Sequence, residues 1–85
     1  MPSLAVAFRT SRAEWQAVAY PNMEGDYLPP HCYMRLNGWR EWCKVATPDR
    51  FASGTPQTGR DLAAYLHAIA RGVEGESEPV ENTTA

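Results

Sequence analysis

Apolar residues along the first third of the chain recur at every second position. Leu4, Val6 and Phe8 alternate with Ala5, Ala7 and Arg9, and Trp15, Ala17 and Ala19 alternate with Gln16, Val18 and Tyr20. A period of two is the signature of a strand with one buried face. If Thr10 to Ala13 form the connecting loop, Arg9 pairs with Glu14 and Phe8 with Trp15, and all six apolar residues share one face. Ser11-Arg12-Ala13-Glu14 also fits a capping box for a short helix ending before Pro21. The six-position match outweighs the four-residue cap, so a hairpin is predicted.

A second alternation brackets Asn37-Gly38, a dipeptide whose tolerance of positive φ suits a two-residue type I′ turn. That turn sets Leu36 opposite Trp39, Tyr33 opposite Trp42 and Cys32 opposite Cys43. One face then holds Cys32, Met34, Leu36, Trp39, Glu41, Cys43 and Val45, and is apolar apart from Glu41. The other holds Tyr33, Arg35, Arg40, Trp42 and Lys44, and is aromatic and basic. Pro21, Gly25, Pro29 and Pro30 mark the segment between the hairpins as a loop, and the Pro- and Gly-containing stretch from Thr47 to Pro56 as a connector.

The period changes near the C-terminus. Leu62, Leu66 and Ile69, with Tyr65 beside them, form a helical stripe. Thr58 suits the N-cap, Asp61 the first turn, Arg71 the last turn and Gly72 the C′ position. The predicted fold is α+β: a four-stranded antiparallel sheet of two hairpins, with one C-terminal helix whose stripe covers one sheet face. Residues 1–72 form a single domain. Residues 73–85 carry Glu74, Glu76, Glu78 and Glu81 with no basic residue, and are expected to be a disordered acidic tail.

Composition adds little to this outline. With 85 residues there is room for one domain, and 44% hydrophobic with 21% charged residues is ordinary for a globular chain. The net charge of −2 comes from the tail: with its four acids set aside, eight basic groups face six acidic ones. An excess that small does not by charge alone indicate a nucleic-acid protein. No apolar run approaches a membrane span and no signal peptide is visible, so no membrane partner and a cytoplasmic location with reduced thiols are expected.

Candidate chemistry is sparse. Cys32 and Cys43, paired across a hydrogen-bonded site, would hold their Cβ atoms about 5.5 Å apart, against about 3.8 Å in a relaxed disulfide, so free thiols are expected. The soft ligands His31, Cys32, Cys43 and His67 show no metal spacing, and His67 lies off the helix stripe as a solvated residue. Gly54 to Gly59 lacks the Lys of a phosphate loop, and no nucleophile motif occurs. No catalytic residue, cofactor or metal is therefore assigned. The aromatic-basic set of Tyr33, Arg35, Arg40, Trp42 and Lys44 is the predicted partner-binding site. Its null alternative is a cross-strand aromatic pair that merely stabilises the hairpin. Aromatics with Arg are enriched at protein interfaces, so a small non-enzymatic protein-binding module of inhibitor or adaptor type is expected, and a phage or mobile-element origin would suit it. The same residues could stack bases and grip phosphates of single-stranded or duplex nucleic acid, and a homodimer is compatible with the fold.

Overall fold

The computed structural model describes residues 2–45 and 55–75. The chain forms strands β1 (Leu4–Arg9), β2 (Ala13–Ala19), β3 (His31–Leu36) and β4 (Cys43–Val45), followed by helix α1 (Gly59–Glu74). The strands make one antiparallel meander in the order β1-β2-β3-β4. This is the α+β arrangement that the two periodicities predict.

The first hairpin has the predicted register, with Phe8 opposite Trp15 and Arg9 opposite Glu14. Its turn is held by Thr10, whose hydroxyl oxygen accepts the amides of Arg12 and Ala13 at 3.1 Å each. The Thr10 amide donates to the Ala13 carbonyl at 2.8 Å, closing the ladder. Parity then places Leu4, Val6 and Phe8 toward the core with Ala13, Trp15, Ala17 and Ala19.

Those four β2 side chains are fully buried. Three of them are alanines, so α1 can lie close over β1 and β2 while Trp15 fills the volume between. Leu62, Leu66 and Ala70 of α1 complete the cluster together with Cys32 of β3. Burial of one Trp side chain supplies about 4–6 kcal/mol as an upper bound, the largest single apolar contribution here.

The helix begins where the sequence predicts. Thr58 is the N-cap, and its hydroxyl accepts the Asp61 amide at 3.0 Å. It ends later: Val73 and Glu74 belong to α1, and Gly75, with φ of 88°, follows as the cap in place of Gly72. The reason is tertiary. The Glu74 carboxylate accepts the indole N–H of buried Trp15 at 2.8 Å and the Thr10 hydroxyl at 2.9 Å, and Arg12 donates to the Glu74 carbonyl at 3.4 Å. These bonds tie the last helical turn to the β1–β2 turn. Of the predicted tail, residues 76–85 lie outside the described residues, as do residues 46–54 of the connector.

The second hairpin departs from its predicted register. Tyr33 lies opposite Lys44 rather than Trp42, Met34 opposite Cys43, and Cys32 opposite Val45. Among residues 36–39 only Gly38 has positive φ, at 96°, and the Trp39 amide donates to the Leu36 carbonyl. A positive φ at the third turn residue alone is the type II pattern, not type I′. Asn37 is the cause. Its amide donates to the Arg12 carbonyl at 3.0 Å, continuing the β2–β3 ladder, and its side-chain amide donates to the Ser11 carbonyl at 2.9 Å. Held against the neighbouring turn, Asn37 stays extended and the loop widens to residues 37–42. Trp39, Arg40 and Glu41 therefore sit in an exposed loop, and Trp39 and Glu41 are not on the core face.

Candidate functional site

A register slip of two residues leaves the parity of every strand position unchanged. The sheet face away from α1 is therefore the one the sequence predicts, and the three pairings order it into rows. One row runs Ala5, Val18, His31; the next runs Ala7, Gln16, Tyr33, Lys44; the third runs Arg9, Glu14, Arg35. Trp42 lies beside the third row, with the Arg35 guanidinium 4.6 Å from the centre of its ring.

The five predicted site residues are thus brought together unequally. Tyr33 and Lys44 are direct cross-strand partners. Arg35 and Trp42 are stacked. Arg40 is placed in the loop, where its carbonyl accepts from Arg35 at 3.4 Å, and its own side chain is exposed.

Arg35 organises the site. One terminal nitrogen donates to Glu14 at 3.0 Å, the other reaches the Arg40 carbonyl, and the flat face of the cation lies on Trp42. The fork of the guanidinium permits this set of contacts, which an ammonium would not. Glu14 stands between two arginines. Its second oxygen lies 3.8 Å from Arg9, whose side chain is 69% exposed against 30% for Arg35. Arg9 therefore keeps donors facing solvent.

Next to this ridge the face is low. Ala7, with Gln16 beside it, forms the floor of an open trough of about 840 Å³ that Arg9, Glu14, Asn37 and Trp42 border. A volume of this size matches binding clefts in general. The contributions of Ala7, Arg9, Glu14 and Gln16 were not assigned to the site from sequence. The usable signal was parity: two alanines at outward positions of β1 mark where a sheet face is shallow.

The remaining groups are placed elsewhere. Cys32 is buried and burial pushes its thiol up to about 11, while Cys43 is exposed, and both are free thiols. With Cys32 opposite Val45 and Cys43 opposite Met34, the two are diagonal rather than facing. His67 is not a solvated surface residue: its ring stacks on Phe8 at 3.8 Å, nearly parallel. Loss of solvent, and then the nearby Arg71 charge, hold its pKa below the ordinary value. Among the described residues, no three His, Cys, Asp or Glu side chains are grouped as metal ligands would be, and no helix is long and apolar enough to cross a membrane.

No protein-family model, curated protein or solved structure matches the chain.

Proposed function

We propose that the chain is a non-enzymatic module that binds another protein through the sheet face opposite α1. The observation that carries this reading is the Arg35–Trp42 stack at the edge of an open trough. A half-buried Trp held flat by a cation is an anchor of fixed orientation, and fixed aromatics bind with little further loss of side-chain entropy. The small floor at Ala7 admits an apolar side chain of a partner against the Trp42 ring. The solvent-facing donors of Arg9 suit a carboxylate on the same segment. Tyr33 and Lys44 extend the surface along the adjacent row.

The test is Trp42→Ala. Trp42 lies on the face away from α1, so the variant keeps its circular dichroism and unfolding midpoint. Used side by side as bait with nuclease present, the wild-type chain retains a protein partner and the variant loses it. Truncation of a central interface Trp lowers affinity by about 2–4 kcal/mol, roughly thirtyfold or more. A partner held equally by both chains removes this face from the interface. Nucleic-acid binding remains the second reading, on the observation that Arg9, Arg35 and Lys44 share this face with Trp42 and Tyr33. In that case nuclease releases the retained material.

A further inference from the structure

The two edges of the sheet are unlike. β4 has three residues, follows an exposed loop and carries Lys44 at its centre. Short length and a central Lys are the devices by which sheet edges avoid pairing. β1 has none of them. Its six residues pair with β2 without interruption, contain no Pro or Lys, and place their one charge, Arg9, at the end.

The hydrogen-bond pattern states which groups this edge presents. The Thr10 amide bonds the Ala13 carbonyl, so Thr10–Ala13 is a hydrogen-bonded pair of the β1–β2 ladder. Antiparallel pairs alternate, so Phe8, Val6 and Leu4 turn their backbone groups to β2, and Arg9, Ala7 and Ala5 turn theirs outward. Among the described residues no strand pairs with that side.

We propose that β1 pairs antiparallel with β1 of a second copy of this chain, about a two-fold axis through Val6. Three constraints select the register. Opposed residues must share a face, which forbids placing Leu4 against Arg9. Outward-turned groups must meet one another, which pairs Ala5 with Ala7 of the second copy and Ala7 with Ala5, giving four N–H···O bonds. Shifting the axis to Ala7 would set Leu4 against Thr10, whose hydroxyl and backbone already serve the turn and Glu74. With the axis at Val6, Leu4 meets Phe8 and Val6 meets itself. These are the three core-facing residues of β1 that remain only half-buried while their β2 neighbours are fully buried.

The helices fit the same arrangement. α1 lies over β1 and β2. Two such helices on a continuous eight-stranded sheet are separated by two strand spacings, about 10 Å, which is the distance at which helices pack. On the opposite face the alanine floors of both troughs meet at the axis. The binding surface becomes one low central strip with a Trp42 ridge at either side.

The experiment is sedimentation of the full chain over a concentration series, with native-state hydrogen exchange at the concentrated end. The expected result is a species of twice the chain mass in which the amides of Ala5, Ala7 and Arg9 are protected. Ala7→Pro removes an outward-facing N–H that the β1–β2 ladder does not use, and Pro is tolerated at such edge positions. This variant is expected to be monomeric with an unchanged circular dichroism spectrum. A wild-type chain that is monomeric throughout overturns the proposal. So does a dimer whose Ala5, Ala7 and Arg9 amides exchange freely. Should Ala7→Pro fail to fold, exchange in the wild type still decides. Trp42→Ala leaves the dimer intact, so loss of partner binding and loss of pairing are separate outcomes.

Discussion

At the scale of single residues, two side chains join elements distant in the chain. Glu74 accepts from the indole of Trp15, a side chain with no solvent exposure, and from Thr10. Glu74→Ala leaves a buried indole N–H without its acceptor, and the loss is about 1–3 kcal/mol. Glu74→Gln keeps an acceptor oxygen and retains most of the stability; urea unfolding of both variants checks the difference. His67 stacks on Phe8 with its pKa lowered by loss of solvent and by Arg71. Below its ordinary value of 6.5 the unfolded chain binds the proton more readily than the folded one. Stability is therefore intact above about pH 6.5 and falls as the pH drops through the folded value. His67→Phe preserves the stack and removes that part of the slope, which unfolding midpoints measured between acid and neutral pH will show. Cys32, pushed up to about 11, acts in the opposite direction and lowers stability only as the pH rises past its ordinary 9.0.

At the scale of elements, the β3–β4 loop decides where the site residues fall. Gly38 has φ of 96°, and a Cβ added there meets nothing within 4 Å. Gly38→Ala therefore carries only the backbone strain of a left-handed residue, about 1 kcal/mol. Its expected effects are a lower unfolding midpoint and weaker exchange protection of β4 amides, with the β1–β2 hairpin unaffected. A loss confined instead to α1 would contradict this account of the turn. The same loop explains why Arg40, assigned from sequence to a strand, contributes its carbonyl to Arg35 rather than its side chain to the face.

At the scale of the whole molecule, charge separates the two binding readings. The outward face carries Arg9, Arg35 and Lys44 against Glu14. If the ligand is nucleic acid, three phosphate contacts give a log-linear fall of affinity with salt, with a slope of about −2 to −3. For a protein partner the dependence is shallower, and Trp42→Ala outweighs reversal of any one of the three charges. Titrations of the captured partner at several salt concentrations distinguish them. Arg35 is a poor choice for charge reversal alone, because its removal also releases Glu14 and Trp42.

The amino-acid sequence by itself determined the features set by neighbours a few residues apart. Alternation from Leu4 to Ala19 specified both the first hairpin and its register, because a one-residue slip would have turned six apolar side chains to solvent. Thr58 and Asp61 specified the helix start, since a cap is made within three residues. Parity also assigned Tyr33, Arg35, Trp42 and Lys44 to one face. Tertiary structure decided the rest, where the deciding hydrogen bond spans the chain. Asn37-Gly38 carries the signal of a type I′ turn, yet Ser11 and Arg12, brought alongside by β2–β3 pairing, hold Asn37 extended and move the register by two. Gly72 carries the signal of a helix stop, yet Glu74 reaches Trp15 and Thr10 and the helix continues past it. In both places the local preference is worth about 1 kcal/mol, and a hydrogen bond to a buried or ladder group is worth at least as much.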